Sequence, residues 1–500
     1  MIFLGLDLGA SSLKALLMRD DGEVLATART PIPTSRPHPK HAEQNPQDWR
    51  EAMQQTIAAL LQDNSYQAND ITAISITAGT HIGVLTDADF TPLRPAILWS
   101  DQRAADEVAE LETHSATIIA ASLHRPNATW TLAHLRWLAT HTPSLLAQAK
   151  HLLPAKDWLR HQLTGDFLTD FSDAVGTQLV DIKTQNWSPD LCALANIRTD
   201  ILPPIRQATD LAGQVQPLAA EKFGLAIGTP VYVGAIDTSI ELFGAGLFKQ
   251  GDAAIKLASA GVVSLCCETA RACPPISCYP QVPINAHTGQ GQTEQTHTGW
   301  YFASGMNTCT DALNWARQIL LNNISFDKME KLAATAPIGA NGVLFHPYLL
   351  GERAPHWNAD LRACLSGLTL NTNQADIARA LYEGIGFALY DVRQDLAART
   401  GQDVTQFALL GGGAQSPFWA QCMADIQGAP AYTQNIVTDA AYGAARLASL
   451  ASSLPQGNDS AQTQHTKTHY TPDKQAHAAY QQIFEQYQAQ AHMHRTALKG

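Results

Sequence analysis

Residues 3–18 read FLGLDLGASSLKALLM, and residues 253–266 read AAIKLASAGVVSLC. In each copy an apolar strand enters a turn of Gly, Ala and Ser and leaves along a second strand, and the copies begin 250 residues apart. With so little side chain at the tip, backbone N–H groups can close on a bulky anion, and phosphate is the obvious one. Asp7 stands in the first copy, and Asp237, at the end of VYVGAID, comes just before the second. A repeated phosphate hairpin with two strand-end carboxylates points to a two-lobed nucleotide phosphotransferase.

Composition agrees with more than one core. At 500 residues and 45% hydrophobic, the chain exceeds the ~250–300 residues at which a single core stops growing. A net charge of −12, with Lys and Arg scattered, leaves no basic footprint for nucleic acid. A small or phosphorylated partner delivered with a metal ion fits better. The start MIFLGLDLGA lacks the basic and long apolar regions of a signal peptide, and no stretch approaches the ~20 apolar residues of a membrane helix. A cytoplasmic protein is expected, with neither nucleic acid nor membrane as partner. Cys266, Cys267, Cys273 and Cys278 crowd one segment, but adjacent strand residues point to opposite faces, which favours free thiols over a zinc site. The 18 histidines are read as surface residues.

The first 35 residues read as three strands, FLGLDL, LKALLM and EVLATART, with Asp20, Asp21 and Gly22 turning between the last two. Asn45 followed by Pro46 reads as a helix cap and first helical position, and Trp49, Met53, Ile57, Leu60 and Leu61 recur at helical spacing. A strand is expected over 71–77, an extended apolar run over 95–99 and a helix over 101–112. From about 115 to 225 a helix-rich pattern with a polar loop at 184–189 decorates the first lobe. The order then begins again with VYVGAI, a helix over 239–247, the second hairpin, and helices over 311–321 and 375–398. This recurrence predicts a duplicated α/β core in two domains, 1–246 and 247–500, with hinge glycines in GAGLFKQG at 244–251. Residues 451–470 read as an exposed loop. A last helix opens at Thr471 and Pro472, with Tyr480, Ile483, Phe484 and Tyr487 as its buried stripe.

Several residues stand where chemistry is expected. Asp7 ends the first strand, where ligands bind in open α/β sheets, and Gly9 lets phosphate approach. A hard cation such as Mg²⁺ wants carboxylate oxygen beside phosphate oxygen, although a turn-stabilising Asp would look the same. Asp237 emerges from a buried strand and can take the proton of an attacking hydroxyl, a step worth ~10²–10⁴-fold in rate. Thr238 and Ser239 are expected to cap the next helix; the plainer alternative is that Asp237 itself is the cap. Ser259, in the turn 258–261 that ends at Gly261, would donate its hydroxyl to ATP phosphate. Gly411, Gly412 and Gly413 follow the strand FALL as a third small-residue junction and a candidate for the adenosine. Trp99, Asp101 and Arg103 would form one wall and two polar contacts of a polyol pocket. The Glu and Arg of LLGERAP (349–355) read more readily as a loop brace than as ligand contacts.

Together the segments GLDLGASSLK, RPAILWSDQR, LLPAKDWLRHQLTG, TDFSDAVGTQLVD, YLLGERAPHWN, GLTLNTNQADIARALYEGIGFAL, LLGGGAQSPFWAQCMADI and AAYGAARLA resemble the FGGY carbohydrate kinases nearly end to end. YLLGERAPHWN with the GLTLN helix is the most specific part. The resemblance implies an α/β protein of two actin-like lobes of ribonuclease-H fold, a ββαβαβα-type core duplicated between them, with an ATP cleft between the lobes. It also implies Mg²⁺ and in-line transfer of the γ-phosphoryl group to a hydroxyl of a ketopentose or related sugar, D-xylulose first among them. On the matching positions it makes Asp237 the catalytic base, places the metal at Asp7 and Asp237, and gives ATP phosphate to Gly9, Ser11, Ser259 and Gly261. Adenosine falls to Gly412 and Ser416, within the 411–413 turn and just beyond it. A homodimer is compatible with the chain.

The departures lie at the sugar. Where members acting on xylulose usually read Gly-Gln-Met-His-Gly, this chain has Gly79-Thr80-His81-Ile82-Gly83, so the family's sugar-binding His aligns with Ile82. His81 would replace it only by a one-residue slip of strand register, which flips faces. Thr238 follows the catalytic Asp where an Asn is frequent, and Glu241 lies one helical turn on. Two alternatives stay open: a kinase for another ketose, polyol or hydroxylated molecule, and a non-catalytic actin-like ATP-binding module.

Overall fold

Alternation of Leu4, Leu6 and Leu8 with Gly5 and Asp7 gives β1 (Ile2–Leu8), which turns at 9–11 into β2 (Ser12–Arg19) and again into β3 (Val24–Pro31). The structure is a computed structural model that describes residues 1–62, 65–283, 299–435, 438–453 and 466–497. Leu6, Leu8, Leu13 and Ala15 share a core with Trp49, Met53 and Ile57 of α1 (Pro46–Leu60). Asn45 starts that helix as expected, its side chain accepting the Gln47 N–H at 3.1 Å. β4 (Ile71–Ala78) runs parallel to β1. The chain between then builds a separate apolar cluster around Leu132, Leu135 and Leu152 and supplies α2 (Ala155–Thr164) and α3 (Phe171–Gly176). β5 (Leu211–Gln214) and β6 (Pro230–Tyr232) complete a six-stranded sheet in the order β5-β6-β4-β1-β2-β3, and α4 (Asp237–Ala245) follows.

The same plan recurs. β7 (Ala253–Leu257) and β8 (Gly261–Cys267) form the second hairpin, and β9 (Trp300–Met306), α5 (Thr310–Leu320), α6 (Gln374–Thr400), β10 (Phe407–Leu410), α7 (Pro417–Gln427) and β11 (Ala431–Gln434) follow. After α8 (Ala440–Ser453) come β12 (Lys467–Tyr470) and α9 (Lys474–Ala497). The second sheet contains the order β9-β8-β7-β10-β11-β12. With the antiparallel edge strands β5 and β12 set aside, both sheets run third, second, first, fourth, fifth in chain order, an antiparallel hairpin beside two parallel strands.

Two compact units result. The first takes the described residues of Met1–Phe248, Glu268–Trp300 and Thr438–Gln464, and the second those of Lys249–Cys267, Tyr301–Val437 and His465–Gly500. α8 thus returns to the first unit, where its small residues let it lie directly on β1 and α4. A Cβ on Gly5 would sit 2.0 Å from the Ala441 carbonyl oxygen, and one on Gly443 would sit 2.2 Å from that of Ile240. Gly244, expected in a hinge, lies inside α4 against Gly443, and Gly246 is the left-handed cap of that helix with φ 75°.

Elsewhere the structure differs in detail from the sequence expectations. The helix expected over 101–112 spans Ala105–Leu111, because Asp101 and Arg103 are drawn into a buried ion pair before it. The last helix is capped by Asp473, which accepts the N–H groups of Gln475 and Ala476, and it buries Tyr480, Phe484 and Tyr487. Of the stretch 451–470, residues 454–465 lie outside the described residues; α8 enters one end and β12 the other. His124, His134 and His346 are buried, not on the surface. Among the described residues no helix is long and apolar enough to cross a membrane.

Candidate active site

In the first unit the hairpin turn is closed by a Gly9 N–H bond to the Ser12 carbonyl at 3.0 Å, and a Cβ on Gly9 would lie 3.3 Å from that same oxygen. Ser11 is exposed at the tip. Asp7, half-buried one residue before the end of β1, pairs across the sheet with Lys14 on one side and Thr77 on the other. Lys14 in turn forms an ion pair with Asp439. A carboxylate and a turn of small residues therefore share one end of the sheet, where the parallel strands deliver ligands.

β6 delivers Asp237 to that end of the sheet. Ala78, the last residue of β4, bridges to Ile236, and Asp237 opens α4. Its Oδ1 accepts the Thr238 backbone N–H at 2.6 Å and the Thr238 hydroxyl at 3.2 Å. A Cβ built on Gly79 would stand 3.7 Å from Trp99 Cδ1 and 3.8 Å from Asp237 Oδ2, so carboxylate and indole face each other across a residue with no side chain. Two expectations are corrected here. The residue before the helix is Ile236, which offers no side-chain cap, and the Ser239 hydroxyl donates to the Pro280 carbonyl instead.

Residues 79–82 form a loop between β4 and the strand Gly83–Thr86, so a slip of strand register has no meaning at His81. His81 adopts the left-handed backbone, φ 68°. Its Nδ1 lies 2.6 Å from the Gly176 carbonyl, which can only accept, so Nδ1 carries the proton and Nε2 accepts the Tyr279 hydroxyl at 3.0 Å. The ring packs 4.1 Å from Trp130. His81 is thereby fixed as a wall, and Ile82 is a core residue, 7% exposed. Trp130 and Tyr279, which stack on each other behind His81, carry no motif that would have marked them in the sequence.

The expected polar contacts from Asp101 and Arg103 are also corrected. Arg103 grips both oxygens of Asp101, at 2.9 and 2.7 Å, and also reaches Glu43 at 2.7 Å, while Asp101 accepts the Ala42 N–H at 2.6 Å. Burial alone would raise the Asp101 carboxyl, but these bonds outweigh it and hold it below the ordinary range. Asp101 is fully buried and has no capacity left for a ligand; it and Arg103 brace the segment that carries Trp99.

In the second unit Ser259 is exposed at the tip of β7–β8, and the carbonyls of Ala258 and Ser259 accept the N–H groups of Thr310 and Cys309 at 2.9 and 2.7 Å, tying the turn to the start of α5. Gly261 is packed tightly, its missing Cβ 2.9 Å from Leu389 and Met306 side-chain atoms. Gly411, with φ 83°, abuts the same hairpin, a Cβ there falling 2.6 Å from the Leu257 carbonyl oxygen. Gly413 packs on Trp419, whereas Gly412 has open space around it. Ser416 caps α7 through the Trp419 N–H at 3.0 Å. Glu352 of the GER loop is buried and accepts the N–H groups of Asn307 and Arg353 at 2.8 and 2.7 Å. That brace holds the segment leading to Cys309 and hence to Ser259.

The model of the FGGY family of carbohydrate kinases, N-terminal domain, matches residues 2–244, and that of its C-terminal domain matches 276–452. The chain belongs to the FGGY family of carbohydrate kinases. It is thus a phosphotransferase that uses an alcohol group as acceptor. This FGGY kinase is 32% identical over 493 residues to the xylulose kinase of Escherichia coli K12, covering 96% of each chain. It is 32% identical over 457 residues to that of Bacillus subtilis, covering 90% of this chain and 88% of the relative. The solved xylulose kinase from Lactobacillus acidophilus superposes with a TM-score of 0.87 at 26% identity, over 100% of this chain and 98% of that one. Both units of the FGGY kinase carry the expected actin-like fold.

Proposed function

We propose that this FGGY kinase transfers the γ-phosphoryl group of ATP to a hydroxyl of D-xylulose, giving D-xylulose 5-phosphate. The observation that carries the reading is the free oxygen of Asp237 facing Trp99 across Gly79. A polyol needs a carboxylate for its reacting hydroxyl, an aromatic face for its carbon chain and a space without side chain to lie in. The end-to-end likeness to xylulose kinases supports the choice of sugar.

In this reading Asp237 Oδ2 takes the hydroxyl proton while Thr238 holds Oδ1 in place. Gly9 and Ser11 in the first unit, and Ser259 and Gly261 in the second, receive the phosphates. Gly412, with Gly411, Gly413 and Ser416 around it, receives the adenosine. Among the described residues no group of three or more His, Cys, Asp or Glu side chains could hold a metal by itself. Asp7 and Asp237 still suit Mg²⁺, which binds through one or two carboxylates and completes its shell with water and nucleotide phosphate. Bound there, Mg²⁺ would neutralise charge on the phosphates during transfer.

One observation favours a second reading. Ile82 is buried where the family's sugar-binding His aligns, so another ketose or polyol would meet a different wall. An assay coupling ADP release to a panel of pentuloses, hexuloses and polyols decides between them. The highest kcat/KM is expected with D-xylulose. A tenfold preference for another acceptor would establish the second reading, and ATP hydrolysis indifferent to every sugar would overturn both.

A further inference from the structure

Behind the 79–82 loop lies a cluster of charge that the reaction described above does not use. Lys156, Asp157 and Arg160 of α2 are fully buried, and Asp170 and Asp173 are each 2% exposed. Lys156 Nζ is 2.6 Å from Asp157 and 2.8 Å from Asp170, but 3.6 Å from Asp173. Arg160 binds Asp157 and Asp166, and donates to the carbonyls of Val233 and Leu168 at 2.8 and 2.6 Å. The two cations are thus taken up by Asp157, Asp166 and Asp170. A negative charge on Asp173 would be buried with only the longer, 3.6 Å contact to a Lys156 that Asp157 and Asp170 already hold more closely, which is costly enough to favour the neutral acid.

α3, which carries Asp173, is also the platform of the acceptor site. Thr80 donates its hydroxyl to Asp173 Oδ1 at 3.1 Å. The Gly176 carbonyl holds His81 Nδ1, and a Cβ on Gly176 would strike the Thr80 hydroxyl at 1.8 Å. At the other end of α3 the Ser172 hydroxyl donates to Asp170 and accepts the N–H of Ile236, the residue before Asp237, at 3.0 Å. One short helix therefore fixes both the loop at Gly79 and the backbone that aims the base.

We propose that Asp173 is a positioning residue for phosphoryl transfer: as the neutral acid it seats α3 against Thr80, His81 and Ile236, and its ionisation loosens that seat and lowers kcat. The inference rests on the sugar-kinase reading for its kinetic half only. The groups acting on Asp173 are Lys156 and Asp157 from α2, Asp170 from the preceding strand and Thr80 from the loop. α3 also packs against the strands Ser277–Pro280, which carries Cys278 and Tyr279, and Ile205–Arg206, which carries the exposed Arg206, while its Gly176 holds His81 and α2 adds Arg160 beside Asp157. Burial first, and then Asp157 and Asp170, push the Asp173 carboxyl up to about 8 against the pull of Lys156.

The test compares the parent with Asp173→Asn and Asp173→Ala across pH 6 to 9.5. The parent should lose kcat as pH rises through about 8, with KM for ATP unchanged. Asp173→Asn, which keeps the shape and cannot ionise, should remain within about threefold of the parent at pH 7 and show no alkaline fall, while Asp173→Ala should lose about 100-fold at every pH. An alkaline fall retained in Asp173→Asn, or a parent-like Asp173→Ala, would overturn the proposal. If Asp173→Ala does not fold, melting of the other two proteins still decides. The group's raised folded value means that its stabilisation is lost upward in pH, so the parent should melt progressively lower than Asp173→Asn from about pH 4 toward about 8. That melting difference appears even if no sugar is turned over, so failure of the kinase reading is distinguishable. Parallel melting curves would sink the proposal.

Discussion

Asp237 and Thr238 are tied through a single oxygen: Oδ1 of the acid accepts both the N–H and the hydroxyl of its neighbour, at 2.6 and 3.2 Å, and so turns Oδ2 toward Trp99. An acid held in this way has one oxygen for structure and one for chemistry. Asp237→Ala is expected to lose transfer by ~10²–10⁴-fold while binding ATP as before. Nucleotide titration and ADP-release kinetics on the same preparation check both halves, and a variant that phosphorylates sugar at near the parent rate would remove Asp237 as the base. Thr238→Val, which deletes one of the two bonds to Oδ1, should cost kcat about tenfold and leave KM for ATP alone.

Gly79 is the point where a small change should speak only to the acceptor. A Cβ there meets Trp99 and Asp237 at 3.7 to 3.9 Å, which is ordinary contact, so Gly79→Ala should fold normally. The added methyl occupies space between the indole and the carboxylate. KM for the sugar should rise by about tenfold or more with KM for ATP unchanged. Steady-state kinetics varying each substrate in turn would show it, and an unchanged sugar KM would place the acceptor elsewhere.

The glycines at 411 and 412 should part company. Gly411 has a left-handed φ of 83° and lies against the Leu257 carbonyl, so Gly411→Ala should destabilise the protein by about 1–3 kcal/mol. Gly412 has nothing within 4 Å of its missing Cβ, and Gly412→Ala should melt with the parent. If Gly412 faces the adenosine, that variant raises KM for ATP alone. Thermal melts paired with ATP kinetics separate the two effects.

Glu352 supplies a pH signature in the second unit. Burial pushes its carboxyl up to about 7 against the bonds from Asn307 and Arg353. A raised carboxyl stabilises most when protonated, below its ordinary range, and that contribution is lost as pH rises toward about 7. Glu352→Gln should therefore gain on the parent in melting temperature as pH rises from about 4 to about 7. Parallel melting profiles would show that Glu352 is not the group responsible.

What the sequence disclosed was what is local. The alternation in 3–18, the Asn45 cap and the period of Trp49, Met53 and Ile57 each depend on residues within one turn or strand, and each has its place in the structure. The two hairpins were readable for the same reason, since each tip of Gly, Ala and Ser joins two apolar strands that are adjacent in the sequence. Burial was not readable. Asp101 and Arg103, two residues apart and both charged, look like ligand contacts until Glu43 and Ala42 arrive from another part of the chain to absorb them. Likewise the KDWLR and TDFSDA segments announce charge, but only folding puts Lys156 between Asp157 and Asp170 and sets α3 beneath His81. The shared strand order of the two sheets is plain in space and faint in the letters, because a sheet constrains pattern far more than identity.

The return of α8 to the first unit bears on how the chain can be made. Gly5 and Gly443 each accept a neighbour's backbone where no side chain would fit, so the cover of β1 is supplied by residues synthesised some 430 positions later. On a ribosome the leading unit must wait, with the face that Ala441 will cover still bare, until α8 has emerged. The packing of β1 therefore waits on α8, and a nascent fragment ending near Phe248 would carry an adhesive surface for chaperones to mask.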